Sequence, residues 1–268
     1  MAGAGGHSLK QVNTWSVIVS QPLFGGNMSD VVRDGDSVRR DAGLWTPTVH
    51  RLLEHLRGHG VPGVPKPLGV DQDGREIVEF LPGEVPHYPM PQWVWSADLL
   101  VAAATWLRLF HDATTDLPRD GERWQLPEHP PVEVICHNDF APYNMVFDED
   151  QRLVGVIDFD TCSPGSRVWD LTYLAYRMIP FHAPESTQSP TMGEAMRTDR
   201  LALLCNAYGA PVRPGDVLAM LNDRVRDLYD FTAVRAAEAG PTSELHDHLL
   251  SYEADLAYLA ELAPANKP

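Results

Sequence analysis

The chain has 268 residues, 44% of them hydrophobic and 22% charged, and 21 Lys and Arg against 37 Asp and Glu give a formal net charge of -16. A chain of this length buries a substantial core and divides into about two lobes of 100 to 150 residues, and its composition excludes both a disordered and a membrane-embedded class. The acidic balance argues against a nucleic-acid partner, which needs a cationic surface; it would steer a cationic small substrate, and it equally serves solubility.

The N-terminal stretch MAGAGGHSLKQVNTW has neither a basic start followed by an apolar run nor a small-residue cleavage pattern, so a cytoplasmic location is expected. Residues 15–20 (WSVIVS) read as a strand, followed by a glycine turn at Gly25 and Gly26. Strands at 31–33 and 37–40 around Asp34-Gly35-Asp36 would complete a small antiparallel sheet. In residues 48–57, Val49, Leu52, Leu53 and Leu56 share one helical face, and Pro47 suits the first turn. A proline-rich connector at 61–67 leads to a strand pair at 69–71 and 76–81. Pro82-Gly83 ends that pair, which places a nucleotide-binding lobe at 1–83 and a catalytic and substrate-binding lobe at 84–268.

The second part is mostly helical. Ser96 can cap a helix running through Leu109 and His111, whose most apolar stretch, 99–109, is far shorter than the roughly 20 residues that cross a bilayer. Two short strands are expected at 144–148 and 152–157, then helices at 169–178, 196–208, 215–238 and 243–262, with a loop over 180–193. The class is therefore α+β. Cys136, Cys162 and Cys205 form no CxxC pair and leave one thiol over in any disulfide scheme, which suits a reducing compartment and buried thiols.

The strongest signal is VICHNDFAPYNMVFDEDQRLVGVIDFD, residues 134–160. With a hairpin turn near Glu149-Asp150, Asn144 lies opposite Gly155 or Val156, and Asp158 emerges at the same end of the ribbon as the loop that holds Asp139. Each of these residues alone could cap a turn. Their combination, H-x-D-x-x-x-x-N followed by a hairpin ending in I-D-F-D, instead supplies what phosphoryl transfer requires. Asp139 would receive the acceptor's hydroxyl proton, while Asn144 and Asp158 would hold Mg2+ against the phosphates of ATP or GTP.

HNDFAPYN, VIDFD and SPGSRVWDL resemble the aminoglycoside phosphotransferase and choline kinase-like family of small-molecule kinases, distant relatives of protein kinases. The resemblance implies a two-lobed protein kinase-like fold, with a small β-rich N-terminal lobe, a larger helical C-terminal lobe and the nucleotide between them. It implies Asp139 as catalytic base, Asn144 and Asp158 as magnesium ligands, His137 as support for the catalytic loop and Asp170 as its brace. Glu79, Phe80 and Leu81 in EFLPGE correspond to the hinge whose backbone holds the purine. Leu109-Phe110-His111 corresponds to the end of the helix beneath the site, His111 being expected as a satisfied core histidine. FGGNMS, with Gly25 and Gly26, corresponds to the loop whose amides meet the phosphates, although two glycines also make an ordinary turn. Arg39 is expected to contact the α and β phosphates, with Arg40 the alternative because a shift of one residue exchanges strand faces. The family's early helix glutamate is missing: Thr48, Val49 and His50 stand there, and Glu54 follows more than a turn later.

Only 11 residues separate Asp158 from Asp170, which leaves little platform for a peptide and favours a small hydroxyl acceptor. Trp169, Tyr173, Asp223, Asp227, Tyr229 and Asp230 are candidates to hold an amino sugar or another cation; a solvated acidic face is the competing explanation. The acceptor is then an aminoglycoside or related natural product, or choline, homoserine or a sugar. A catalytically silent kinase-like binding or immunity protein is the third possibility. A monomer or homodimer is expected, with no nucleic-acid or membrane partner.

Overall fold

A computed structural model describes residues 21–22, 31–117, 121–184, 186 and 190–262. The strand expected at 15–20 and the turn with Gly25 and Gly26 lie outside the described residues. The chain forms a small β-rich lobe followed by a larger, mainly helical one, the expected α+β class.

The small lobe is one antiparallel sheet of β1 (Gln21–Pro22), β2 (Val32–Asp34), β3 (Ser37–Asp41), β4 (Pro67–Val70) and β5 (Arg75–Glu79), in the order β1-β2-β3-β5-β4. The β2–β3 turn needs a left-handed residue, which Gly35 supplies at φ 62°. On β3, Arg40 lies directly opposite Glu76, and Arg39 opposite Ile77. Helix α1 (Thr46–Gly58) packs Val49, Leu52, Leu53 and Leu56 into the core, the face its periodicity predicts.

In the larger lobe, α2 (Ala97–Ala113) begins where the Leu99 N–H donates to the Ser96 hydroxyl at 3.3 Å. Leu100, Ala103, Leu107 and Phe110 along α2 are fully buried. After it come β6 (Val134–Cys136), the hairpin of β7 (Met145–Phe147) and β8 (Leu153–Val156), and β9 (Ser163–Gly165). Helices α3 (Arg167–Met178), α4 (Glu194–Tyr208), α5 (Pro214–Ala239) and α6 (Leu245–Leu262) complete the lobe, with α5 packed on both α3 and α6 and α4 on α2. Among the described residues no helix is long and apolar enough to cross a membrane.

Two local features differ from expectation. The hairpin pairs Met145 with Val156, so Asn144 faces Ile157 rather than Gly155 or Val156. An irregularity between Val146 and Phe147 absorbs the shifted register. Strand β9 was not anticipated: Ser163-Pro164-Gly165 pairs with β6, and Pro164 is tolerated because this sheet has only two strands.

The small lobe and the segment that leads out of it are both stitched to the hairpin. Val156 donates to the Gly63 carbonyl at 2.9 Å, and Glu84 and Phe147 exchange backbone hydrogen bonds of 2.9 and 2.8 Å. Gly83 makes the second contact possible, because a Cβ there would stand 2.5 Å from the Phe147 carbonyl oxygen.

Candidate active site

The loop between β6 and β7 is organised around Asp170, the carboxylate in the first turn of α3. It is completely buried and accepts from the backbone N–H of His137 at 2.7 Å and of Asn138 at 2.9 Å. His111 stands 3.1 Å away through Nε2, with its Nδ1 2.8 Å from the Tyr208 hydroxyl. Burial alone would raise the Asp170 pKa, but the His111 bond and the charge and amide of the His137 region outweigh it and hold the carboxyl below its usual range. Burial lowers the His111 pKa. His111 is thus a satisfied core histidine.

Asn138 adopts the left-handed conformation, φ 65°, and its side chain makes that tenable. Nδ2 donates to Thr161 O and Ser163 Oγ, both at 2.8 Å, and Oδ1 accepts from Trp169 Nε1 at 3.0 Å. The following residue, Asp139, is held at both oxygens. Oδ1 accepts from the hydroxyls of Tyr143 at 2.6 Å and Tyr173 at 2.7 Å, and Oδ2 accepts from Asn144 Nδ2 at 2.9 Å. With its amide nitrogen spent on Asp139, Asn144 has its amide oxygen left as a hard ligand. The Ile157 N–H donates to the Asn144 carbonyl at 2.9 Å, which brings Asp158 beside the same loop.

Asp158 is also left-handed, φ 64°, and stands at the start of a single 3-10 turn, Phe159–Thr161. Its side chain is 41% exposed, and its Oδ1 accepts from Arg40 Nη1 at 2.8 Å. Arg40 also donates to Asp160 Oδ1 and, through Nε, to the fully buried Glu76, each at 2.5 Å. Burial opposes the Arg40 charge, yet Asp160, Asp158 and Glu76 outweigh it and raise its pKa. Burial pushes Asp160 up to about 7 against the pull of Arg40, and the charges of Asp158 and Glu76 add to the rise.

Three carboxylates around one guanidinium leave an excess of negative charge beside the exposed Asp158. That surplus, the exposed Asp158 and the Asn144 amide oxygen fit a hard divalent cation such as Mg2+. Asp158 and Asn144 would hold it, and it would neutralise phosphate charge during transfer.

The arginine facing this cleft is Arg40. Arg39, expected at the phosphates, points to the opposite face of β3 and pairs with Asp34 at 2.9 Å and Asp71 at 3.0 Å. The pleat alternates side chains, and the register with β5 sets which of the two neighbours faces inward. Nor is the missing helix glutamate without a substitute. Glu76 on β5 meets Arg40, and His50 of α1 lies 2.9 Å from the other Glu76 oxygen, joining helix to arginine through a strand. Burial would raise the Glu76 pKa, but His50 and Arg40 keep it low.

At the hinge, two of the three expected amides are engaged within the chain: Glu79 N–H with Lys66 O and Phe80 N–H with Asp36 O, both at 2.9 Å. Among the described residues no backbone oxygen accepts from the Leu81 N–H. The acids of α5 are divided. Asp223 and Asp230 are exposed, whereas Asp227 approaches His129 at 3.4 Å and Arg224 at 3.6 Å. Trp169 and Tyr173 are buried. The three cysteines are buried and free, and burial raises the pKa of each. Residues unforeseen in the site are Glu76, Asp160 and Tyr143; Asp160 and Tyr143 lie inside the motifs themselves.

The phosphotransferase enzyme family model matches residues 93–190, which hold Asp139, Asn144 and Asp158. The trifolitoxin immunity protein of Rhizobium leguminosarum bv. trifolii is 31% identical over 237 residues, 84% of this chain and 87% of that protein. Among solved structures, a choline/ethanolamine kinase family protein from Mesorhizobium loti superposes with TM-score 0.61 at 16% identity, covering 96% of this chain and 92% of the other. An ethanolamine kinase of Plasmodium vivax gives 0.62 at 11% identity over 90% and 82%. An ADP-bound aminoglycoside phosphotransferase gives 0.52 at 14% identity over 92% and 95%. At these identities the structural likeness is one of fold: two-lobed and protein kinase-like.

Proposed function

The chain belongs to the phosphotransferase enzyme family, and we propose that it transfers the γ-phosphate of ATP or GTP to a hydroxyl of a small molecule. The observation that supports this best is the joint placement of Asp139, Asn144 and Asp158, coupled by the Asn144–Asp139 hydrogen bond and the pairing of Ile157 with Asn144. Asp139 takes the acceptor's proton, Asn144 and Asp158 hold Mg2+, and Arg40 neutralises phosphate charge once the metal enters. An aminoglycoside or related natural product, or a metabolic alcohol such as choline, homoserine or a sugar, is the kind of acceptor this chemistry serves. Three buried thiols without a disulfide fit a reducing compartment such as the cytoplasm. The test is calorimetric titration with ADP in the presence and absence of Mg2+, followed by acceptor-dependent ADP release. Absence of any Mg2+-dependent nucleotide binding would sink the proposal.

The likeness to an immunity protein supports a second reading, in which the chain binds nucleotide and protects its host against a toxic compound without turnover. Protection that survives Asp139→Ala would favour it; protection lost with that substitution would favour transfer.

A further inference from the structure

Arg177, one turn after Tyr173 on α3, is only 5% exposed. Its Nε donates to the Tyr173 hydroxyl at 3.0 Å and its Nη2 to the Tyr252 hydroxyl at 3.1 Å. The rings of Tyr143, Tyr173, Tyr176 and Tyr252 lie 5.0 to 5.8 Å from its guanidinium carbon. Burial raises the pKa of Tyr143, Tyr173 and Tyr176, so these hydroxyls stay neutral.

Among the described residues no carboxylate lies within salt-bridge distance of Arg177. The other buried arginines are provided for differently. Arg200 donates to the carbonyls of Trp95 and Met178, both at 2.9 Å, and Arg224 donates to the Asn138 carbonyl with Asp227 at 3.6 Å. Of the three buried arginines among the described residues, Arg177 alone meets just neutral hydroxyls and ring faces. A cation taken out of water without an opposite charge is costly, and ring faces recover only part of that cost.

The position of this cation is as informative as its isolation. One hydroxyl, that of Tyr173, touches both Arg177 Nε and Asp139 Oδ1, so the positive charge stands one hydroxyl away from Asp139. Arg224 lies against the same Tyr173 ring, 4.4 Å from its centroid. Tyr88, 42% exposed and with its ring centroid 6.1 Å from that of Tyr143, links the cluster to solvent.

We propose that the acceptor phosphorylated at Asp139 carries an anionic group, a carboxylate or phosphate, near its reacting hydroxyl, and that Arg177 binds that group. The proposal rests on the kinase reading and names the acceptor class of the same site. A carboxylate or phosphate gains a charge-assisted contact with the guanidinium hydrogens that the Tyr173 and Tyr252 hydroxyls leave over. A cationic acceptor would have to place its charge beside Arg177 and Arg224 in a poorly solvated setting. The overall charge of -16 attracts cations at long range, but Arg177 and Arg224 put two guanidinium groups against the Tyr173 ring beside Asp139.

The test uses the full chain saturated with MgADP and titrated calorimetrically with D-glycerate and 3-phenyllactate as anionic probes and with choline as the cationic one. The anions bind at least about tenfold more tightly than choline. Arg177→Met removes that preference with MgADP affinity unchanged. Arg177→Lys, which keeps the charge without the fork, retains the preference at lower affinity and serves where the Met variant does not fold. Choline binding as well as the anions, an anion affinity indifferent to Arg177→Met, or no response to any probe by a protein that binds MgADP overturns the proposal. In turnover, the substitution raises KM for an anionic acceptor; a fall in kcat common to all acceptors would assign Arg177 to the transferred phosphate instead and equally overturn it. A wild-type chain that fails to bind MgADP brings down the kinase reading, and this proposal with it.

Discussion

Arg40 reaches from the small-lobe sheet to Asp158, with 2.8 Å between Nη1 and Oδ1, while Arg39 beside it in the chain faces the other way, toward Asp34 and Asp71. Two adjacent residues of one type are therefore expected to respond unequally to mutation. Arg40→Met weakens MgADP binding by about tenfold or more, the loss expected for a charge-assisted contact of roughly 1.4 kcal/mol or more. Arg39→Met changes it by less than about twofold, because a partly exposed ion pair contributes little. Calorimetry on both variants decides, and equal effects would reject the assignment of Arg40 to the phosphates.

The two aspartates separate by the step they affect. Asp139→Ala lowers turnover by at least about 100-fold with MgADP binding largely kept, as expected for a positioned base. Asp158→Ala loses the Mg2+-dependent part of nucleotide binding as well as turnover. Titrations of each variant with and without Mg2+, alongside ADP release, distinguish them; loss of nucleotide binding in the Asp139 variant would count against its assigned role.

Asp170 is a structural keystone with no access to substrate. Asp170→Ala leaves the His137 and Asn138 amides and His111 without their acceptor, and a cost of about 3 to 5 kcal/mol is expected. Urea denaturation measures it. A shift below about 1 kcal/mol would show that the loop finds other partners.

Stability should fall in mild acid through His182, which burial holds down at about 4 despite Asp255 beside it. An unfolded histidine titrates near 6.5, so between about 6.5 and 4 the unfolded chain binds the extra proton and the folded state is progressively penalised as pH falls, by roughly 3 kcal/mol at the lower limit. Urea midpoints of the native chain and of His182→Gln at pH 7.5, 5.5 and 4.5 test this. The variant is expected to show a shallower acid slope, and parallel slopes would exclude His182 as a source.

The legible part of this site was the local part. Asp139, Asn144 and Asp158 announce themselves because a loop, a tight hairpin and a following turn bring them together within one short segment. What depends on strand register was harder to read. Arg39 and Arg40 exchange roles with a shift of one residue, and nothing near them in the chain says which faces Glu76. The substitute for the helix acid was hidden for the same reason, since Glu76 lies 36 positions from Arg40 and meets it only by cross-strand pairing. Ser163-Pro164-Gly165 has the composition of a turn, and only β6 makes it a strand. The tyrosines around Arg177 come from two helices and two connecting segments, so no single stretch carries their pattern.

The paired backbones of Glu84 and Phe147, with Gly83 bare beside them, have a consequence for dissecting the molecule. A cut between residues 83 and 84 would not release two autonomous modules. The fragment beginning at Glu84 would keep that seam but lose Gly63 from Val156, while the fragment ending at Gly83 would leave Arg40 and Glu76 facing water without Asp158 and Asp160. Each fragment would thus lack contacts that the intact chain supplies across the lobe boundary.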